Sequence, residues 1–145
     1  MDEGLERVYD VAFLGNLNPK VQRRRLRTVQ KILRLRDEGF NVCIGQSAFF
    51  RDYNRIHSQS KIVYHGSISD QVNMRVLEAM GAGCLVVMRR PRDVNDPSTH
   101  FFRDREEVVY CDNDEEALAA IRYYARHDAE RERIALAGHR KVMMK

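Results

Sequence analysis

No stretch of this chain is apolar enough to cross a bilayer. The run Cys84-Leu85-Val86-Val87-Met88 is as long as any, whereas a spanning helix needs about 20 apolar residues. The opening MDEGLERVYD is acidic and polar and lacks the basic and apolar segments of a secretory signal. Cysteine is sparse: Cys43, Cys84 and Cys111 are odd in number, far apart and without metal-ligand spacing. That excludes a disulfide framework and reads as reduced, structural thiols. The expected location is the cytoplasm. There is no Gly-x-Ser-x-Gly, Walker or zinc motif, no internal repeat and no low-complexity segment. His57, His65, His100, His127 and His139 show no ligand spacing, although His65, closing an apolar stretch, is placed to border a ligand crevice.

Acidic residues are missing from one segment. Between Lys20 and Arg36 there are eight basic residues and no Asp or Glu, although the net charge of the whole chain is only +4. Such asymmetry calls for an anionic partner at one face. Nucleic acid is a poor fit, because the basic run has no interleaved aromatics and no nucleic-acid-binding motif is present.

What the chain does contain is ordinary soluble composition, 43% hydrophobic and 32% charged in 145 residues, enough for one domain over 1–145 with a real core. Five short apolar stretches recur at 10–15, 41–45, 61–66, 84–88 and 107–111, and the first three end in Gly. Near-continuous apolar runs of this length are typical of strands buried on both faces. Helical patterns lie between and after them. Residues 21–38 place Leu26, Val29 and Leu33 on one side and Arg24, Arg27, Lys31 and Arg34 on the other, with Gly39 as the stop. Further helices are expected over 50–58, 70–82, 112–127 and 128–143, the third opening after Ser69-Asp70 and the fourth after Asp112-Asn113. Alternating strands and helices predict an α/β fold, a doubly wound parallel sheet of five to six strands with helices on both faces. The stretch 89–106 is the one long irregular segment.

In such a sheet the ligand crevice lies beyond the carboxyl ends of the strands, where strand order reverses. An order 2-1-3-4-5 puts the reversal between the first and third strands. The text that follows them, Gly15-Asn16-Leu17-Asn18 and Gly66-Ser67-Ile68-Ser69-Asp70, is small and polar, and the second loop runs into a helix N-terminus. Both properties suit a phosphorylated ligand. In NMRVLEAMGAG (73–83) a carboxylate, Glu78, sits among apolar residues. Two readings stand for it: an ion pair with Arg75 one turn earlier, or a reach into the crevice to accept hydrogen bonds from a bound diol.

SISDQVNMRVLEAMGAGCLVV resembles the donor-binding signature of the group 1 glycosyltransferases, in the branch that includes spore-maturation-type proteins. The downstream tyrosine-rich helix and the H-x-x-E-R-x-x-I-A pattern from His127 to Ala135 resemble that branch as well. The resemblance covers nearly the whole chain and implies the C-terminal, donor-binding half of a GT-B fold. The implied substrate is a nucleoside-diphosphate sugar, with no obligatory metal or other cofactor. The implied partner is an N-terminal acceptor-binding domain or partner chain, which this sequence does not contain.

These families carry two acids separated by seven residues, and Asp70 and Glu78 fit, with Asp where Glu is commoner. The resemblance gives Glu78 the ribose hydroxyls and Asp70 the hydroxyls of the sugar, the catalytic end of the site. Asn73, at the start of the helix, is either a cap or a diphosphate contact. Arg75 either faces the phosphates or pairs with Glu78. One of Arg24 and Arg25 is expected on the diphosphate, beside Gly15, Asn16 and Ser67. The triplet Asp112-Asn113-Asp114 is similar to the metal-binding acids of GT-A enzymes, but a helix cap explains it better. The segment between Gly45 and Lys61 is shorter than in the usual donor half, so base recognition is the least secure inheritance. Two other functions compete: a non-catalytic nucleotide- or phosphate-binding module using the same crevice, and a nucleic-acid-binding domain using the basic face.

Overall fold

In the computed structural model, residues 7–15, 23–45, 50–66, 74–91, 95 and 101–144 are described, Phe50 to Tyr53 by their backbone alone. Five parallel strands form the sheet: β1 (Tyr9–Leu14), β2 (Val42–Gly45), β3 (Ser60–His65), β4 (Leu85–Arg89) and β5 (Val109–Cys111). Their order is β2-β1-β3-β4-β5, in the register Val11↔Val42, Val11↔Ile62, Ile62↔Leu85 and Val87↔Val109. The helices are α1 (Arg23–Leu33), α2 (Phe50–Ser58), α3 (Met74–Gly81), α4 (Asp114–Arg126) and α5 (Asp128–Met143). Strand order reverses between β1 and β3, so the expected doubly wound fold is the observed one.

The apolar runs bury both faces of the sheet. Val11, Phe13, Ile62, Tyr64, Leu85 and Val87 point to one side and pack with α1 and α4. Val63, Val86, Met88, Val108 and Tyr110 point to the other and pack with α3. The alternation is the two-residue period of a strand. Each aliphatic side chain so removed from water contributes roughly 1.5–3 kcal/mol. The helix α5 begins against the first core through Ile134 and Ala135 and ends against the second through Val142. At Gly138 an added Cβ would lie 2.6 Å from the Glu107 carbonyl oxygen, so only glycine allows this approach.

Two expectations change in detail. The first helix stops being α-helical at Leu33 and tightens into a 3-10 turn over Arg34–Glu38, ended by Gly39 at φ 92°. Its buried residues are Thr28, Val29 and Ile32. Leu33, expected inside, is exposed, because the tighter turn carries Leu35 into the core instead. Of the three free cysteines, Cys84 and Cys111 are buried, but Cys43 is only half-buried.

Candidate functional site

The carboxyl end of β1 is where charge accumulates. Gly15 is buried and its N–H donates to the Gly45 carbonyl at 2.9 Å. A Cβ at Gly15 would stand 3.1 Å from Phe13 Cζ, 3.3 Å from Arg75 Nη1 and 3.4 Å from Arg25 Nη1. Two guanidiniums, one from α1 and one from α3, thus meet over a single backbone position with no side chain of its own. Arg75 is tied there by donating from Nη1 to the Leu14 carbonyl at 2.7 Å. Arg25 lies over the Phe13 ring, 5.7 Å from its centroid. Burial, and next the charge of Arg75, hold the Arg25 guanidinium below its ordinary pKa, with Tyr64 acting in the opposite sense. Like charges at this range are costly unless an anion is shared between them.

Beside this pair opens a crevice lined by Leu14, His57, His65, Arg75, Glu78 and the core residues beneath them. The α3 sequence explains how Glu78 reaches it. Val76, Ala79 and Met80 are buried at helical spacing, which leaves Glu78 half-buried at the margin of that face. Among the described residues no ion pair joins it to Arg75, and no hydrogen bond to its carboxylate is found. The Arg75–Glu78 ion pair is thus not formed, and Arg75 donates to the backbone of β1.

Of the other sequence candidates, Arg24 is half-buried, and its carbonyl accepts the Thr28 hydroxyl at 3.2 Å. It is Arg25 that approaches Gly15. Asn16, Ser67, Asp70 and Asn73 lie outside the described residues. The Asp112–Asp114 triplet is engaged in holding the fold. Asn113 caps α4 by accepting from the Glu116 N–H at 2.9 Å, and Asp114 accepts from the Thr28 hydroxyl at 2.6 Å, Lys31 at 3.0 Å and Arg89 at 2.9 Å. Burial pushes the Asp114 carboxyl up, but those three donors together bring it below its ordinary value. This cluster braces the first turns of α1, which carry Arg25, against α4 and β4.

His65 is buried at the end of β3 and borders the crevice, as its position implied. His57 is the residue sequence reasoning overlooked. It lies on α2, only 3% exposed, and lines the same crevice. Its backbone carbonyl is held by Arg7 Nη1 at 3.0 Å and the Cys84 thiol at 2.8 Å. Burial, aided by the Arg75 charge, pushes its imidazole down to about 4, so it is neutral at physiological pH. Its only sequence signal was a polar residue near the inner end of a short helix.

Fold and crevice together define the class: a doubly wound parallel α/β domain of the kind that forms the C-terminal half of GT-B proteins, with a polar and cationic crevice at its switch point. Residues 6–145 match the family described as "Glycosyl transferase-like", and the chain belongs to that family. No curated protein matches the sequence. Among solved structures, the chain is similar to the C-terminal domain of the group 1 family glycosyl transferase LpcC from Francisella tularensis (TM-score 0.67, 16% identity, 99% of this chain and 89% of that one). It is also similar to the catalytic domain of cholesterol-alpha-glucosyltransferase from Helicobacter pylori (0.61, 16%, 91% and 95%). A third similar structure is HepE of Anabaena in complex with UDP and glucose (0.61, 19%, 90% and 35%). Identities this low establish the shared fold. Among the described residues, no helix is long and apolar enough to cross a membrane.

Proposed function

We propose that this chain is the donor-binding domain of a glycosyltransferase that transfers a sugar from a nucleoside-diphosphate sugar to an acceptor. The observation that carries the proposal is the meeting of Arg25 and Arg75 at Gly15, beside the Glu78 carboxylate, at the point where strand order reverses. In this reading the paired guanidiniums hold the diphosphate and stabilise it as it departs. Catalysis is then mostly positioning and electrostatics, without an obligatory metal. Glu78 accepts the ribose hydroxyls. Asp70, Asn73, Asn16 and Ser67 complete the site, with Asp70 at the sugar. The NMRVLEAMGAG motif and the His127–Ala135 pattern support the spore-maturation-type branch of the group.

Transfer in this reading also requires an N-terminal acceptor-binding domain or partner chain, since a GT-B reaction takes place between two halves. The 145-residue chain alone is expected to bind donor as a single domain and transfer little, in a cytoplasmic setting. The deciding experiment is a thermal-shift screen against UDP, GDP, ADP and their sugars, in which binding to the native state raises the midpoint by a mass-action term. A midpoint raised by one nucleoside diphosphate and its sugar supports the proposal. No shift with any of them defeats it. Binding without transfer, even with an N-terminal half supplied, would make the chain a non-catalytic nucleotide-binding module instead.

A further inference from the structure

Arg25 holds its place at Gly15 against local electrostatics. Arg23, Arg24 and Arg25 open α1 with no acidic residue in the first turn, and cations are unfavourable at the positive end of a helix dipole. Arg75 adds a like charge beside Gly15. What opposes both is a carboxylate from another element. Arg25 lies three residues before Thr28 and four before Val29, both buried, so the three share the face of α1 that turns inward. The Thr28 hydroxyl, on a residue only 2% exposed, reaches Asp114 Oδ1 at 2.6 Å and the Arg24 carbonyl at 3.2 Å. The carboxylate is the nearer and the charged acceptor, so it takes the hydroxyl proton. One turn further along, Lys31 donates to Oδ2 at 3.0 Å. Asp114 is itself firmly seated. It opens α4 directly after the Asn113 cap, and Arg89 at the end of β4 donates to its Oδ1 and to the Asp112 carbonyl, each at 2.9 Å. The first turns of α1 are thus fastened to β4 and α4 through one carboxylate, 86 positions from Thr28. Arg25 Nε is shielded from water, so the guanidinium extends from an enclosed stem.

We propose that Thr28, through its bond to Asp114, is a positioning residue for Arg25: it fixes the guanidinium at Gly15 before a ligand arrives, so that the phosphates of the donor meet a preformed cation. The proposal rests on the donor reading given above, in which Arg25 contacts the diphosphate, and adds what sets that contact. Thr28 itself touches no ligand. Ordering a long arginine side chain on association costs affinity, and a brace formed with the fold removes that cost. The threonine hydroxyl carries no net charge, so its loss leaves the charges of Arg25 and Arg75 unaltered and changes only how firmly Arg25 is held.

The test is calorimetric titration of UDP and of inorganic pyrophosphate into wild type, Thr28→Val, Thr28→Ser, Arg25→Ala and the double variant Arg25→Ala with Thr28→Val. Valine keeps the shape of threonine without the hydroxyl, and serine keeps the hydroxyl. Both affinities should fall roughly threefold to tenfold in Thr28→Val, the range of one hydrogen bond, and return in Thr28→Ser. In the Arg25→Ala background Thr28→Val should cost nothing further, because its effect passes through the side chain already removed. Unchanged affinity in Thr28→Val, a loss that persists without Arg25, or a Thr28→Ser variant as weak as Thr28→Val overturns the proposal. Should Thr28→Val fail to fold, the free wild-type protein decides, through 15N relaxation of its arginine Nε groups. Arg25 must be ordered on the nanosecond timescale before any ligand is added, in contrast to the exposed Arg27. An Arg25 as mobile as Arg27 refutes the brace. Wild type that binds neither UDP nor pyrophosphate, or an Arg25→Ala variant that binds both as well as wild type does, would instead strike the donor reading beneath it, and the proposal falls with that reading.

Discussion

Arg75 donates from Nη1 to the carbonyl oxygen of Leu14 at 2.7 Å, although the two residues lie 61 positions apart. This bond holds a cation from α3 over the end of β1. Arg25 arrives at the same place from α1. Cations thus gather at Gly15, at one end of the crevice, and Glu78 adds a carboxylate to its lining; in the proposed reading phosphates meet the first and ribose hydroxyls the second.

Removing the cationic end should weaken binding of the phosphates. Arg25→Ala and Arg75→Ala are each expected to lower the affinity for UDP by about tenfold or more, since hydrogen bonds to charged groups are worth roughly 1.5–3 kcal/mol. Titration calorimetry at low salt and at 0.5 M salt, about a fivefold rise in ionic strength over common buffers, should show a smaller mutant penalty at high salt, because screening has already reduced the phosphate term. An unchanged affinity in both variants would remove these arginines from the site.

Glu78→Gln tests the carboxylate. The amide keeps the size and can still accept a hydrogen bond, but the charge is gone, so ribonucleotide affinity should drop about tenfold. The deoxyribose analogue lacking the contacted hydroxyl should lose much less, having no partner to forfeit. The fold should survive, because an amide is cheaper to bury than a carboxylate. Equal losses for the two nucleotides would assign Glu78 a structural part.

His57 makes a prediction about acid stability. Its folded pKa is pushed down to about 4, while an unfolded histidine titrates near its ordinary value of 6.5. As pH falls through 6.5 the unfolded chain takes up a proton that the folded one refuses, so stability declines from pH 6.5 down to about 4. The full contribution is present above 6.5. It amounts to about 3 kcal/mol at most, at 1.36 kcal/mol per unit. Urea unfolding of wild type and His57→Asn across this window should show a shallower decline in the variant. Parallel slopes would mean that His57 is not held neutral by the fold.

Gly138→Ala addresses packing alone. The new methyl would lie 2.6 Å from the Glu107 carbonyl oxygen, a backbone atom that cannot swing aside. The variant should be destabilised by about 1–3 kcal/mol, the usual cost of overpacking, despite the better helix propensity of alanine. Nucleotide affinity, measured well below the unfolding midpoint, should be unaffected, since α5 does not line the crevice. A variant as stable as wild type would show that α5 can shift away from this contact.

Much of the architecture was legible because each element carries its own local record. The five apolar runs became the five strands, each within two residues of the predicted limits, since a strand buried on both faces has little freedom in composition. The cap at Asn113 and the stop at Gly39 were readable for the same reason: a helix end must satisfy its own backbone groups within one turn. The expected order 2-1-3-4-5, which brings Gly15 and Gly66 to the same edge, also held. Glu78 could be singled out as a carboxylate in an apolar helix.

What the sequence by itself determined was therefore the class of fold and the place where strand order reverses. Only the tertiary structure decided between residues that local pattern treats as equal. Arg24 and Arg25 are neighbours on one helix, and it is the rotation of α1, braced by the bond from Thr28 to Asp114, that turns Arg25 to Gly15. Spacing offered Arg75 an ion pair with Glu78, yet in the fold it donates to the carbonyl of Leu14, 61 positions away, and no such pair forms. His57 has no motif at all; burial against α3 and the charge of Arg75 made it neutral. Such choices depend on groups brought together from separate elements, and the energies that settle them act through space, where sequence distance does not enter.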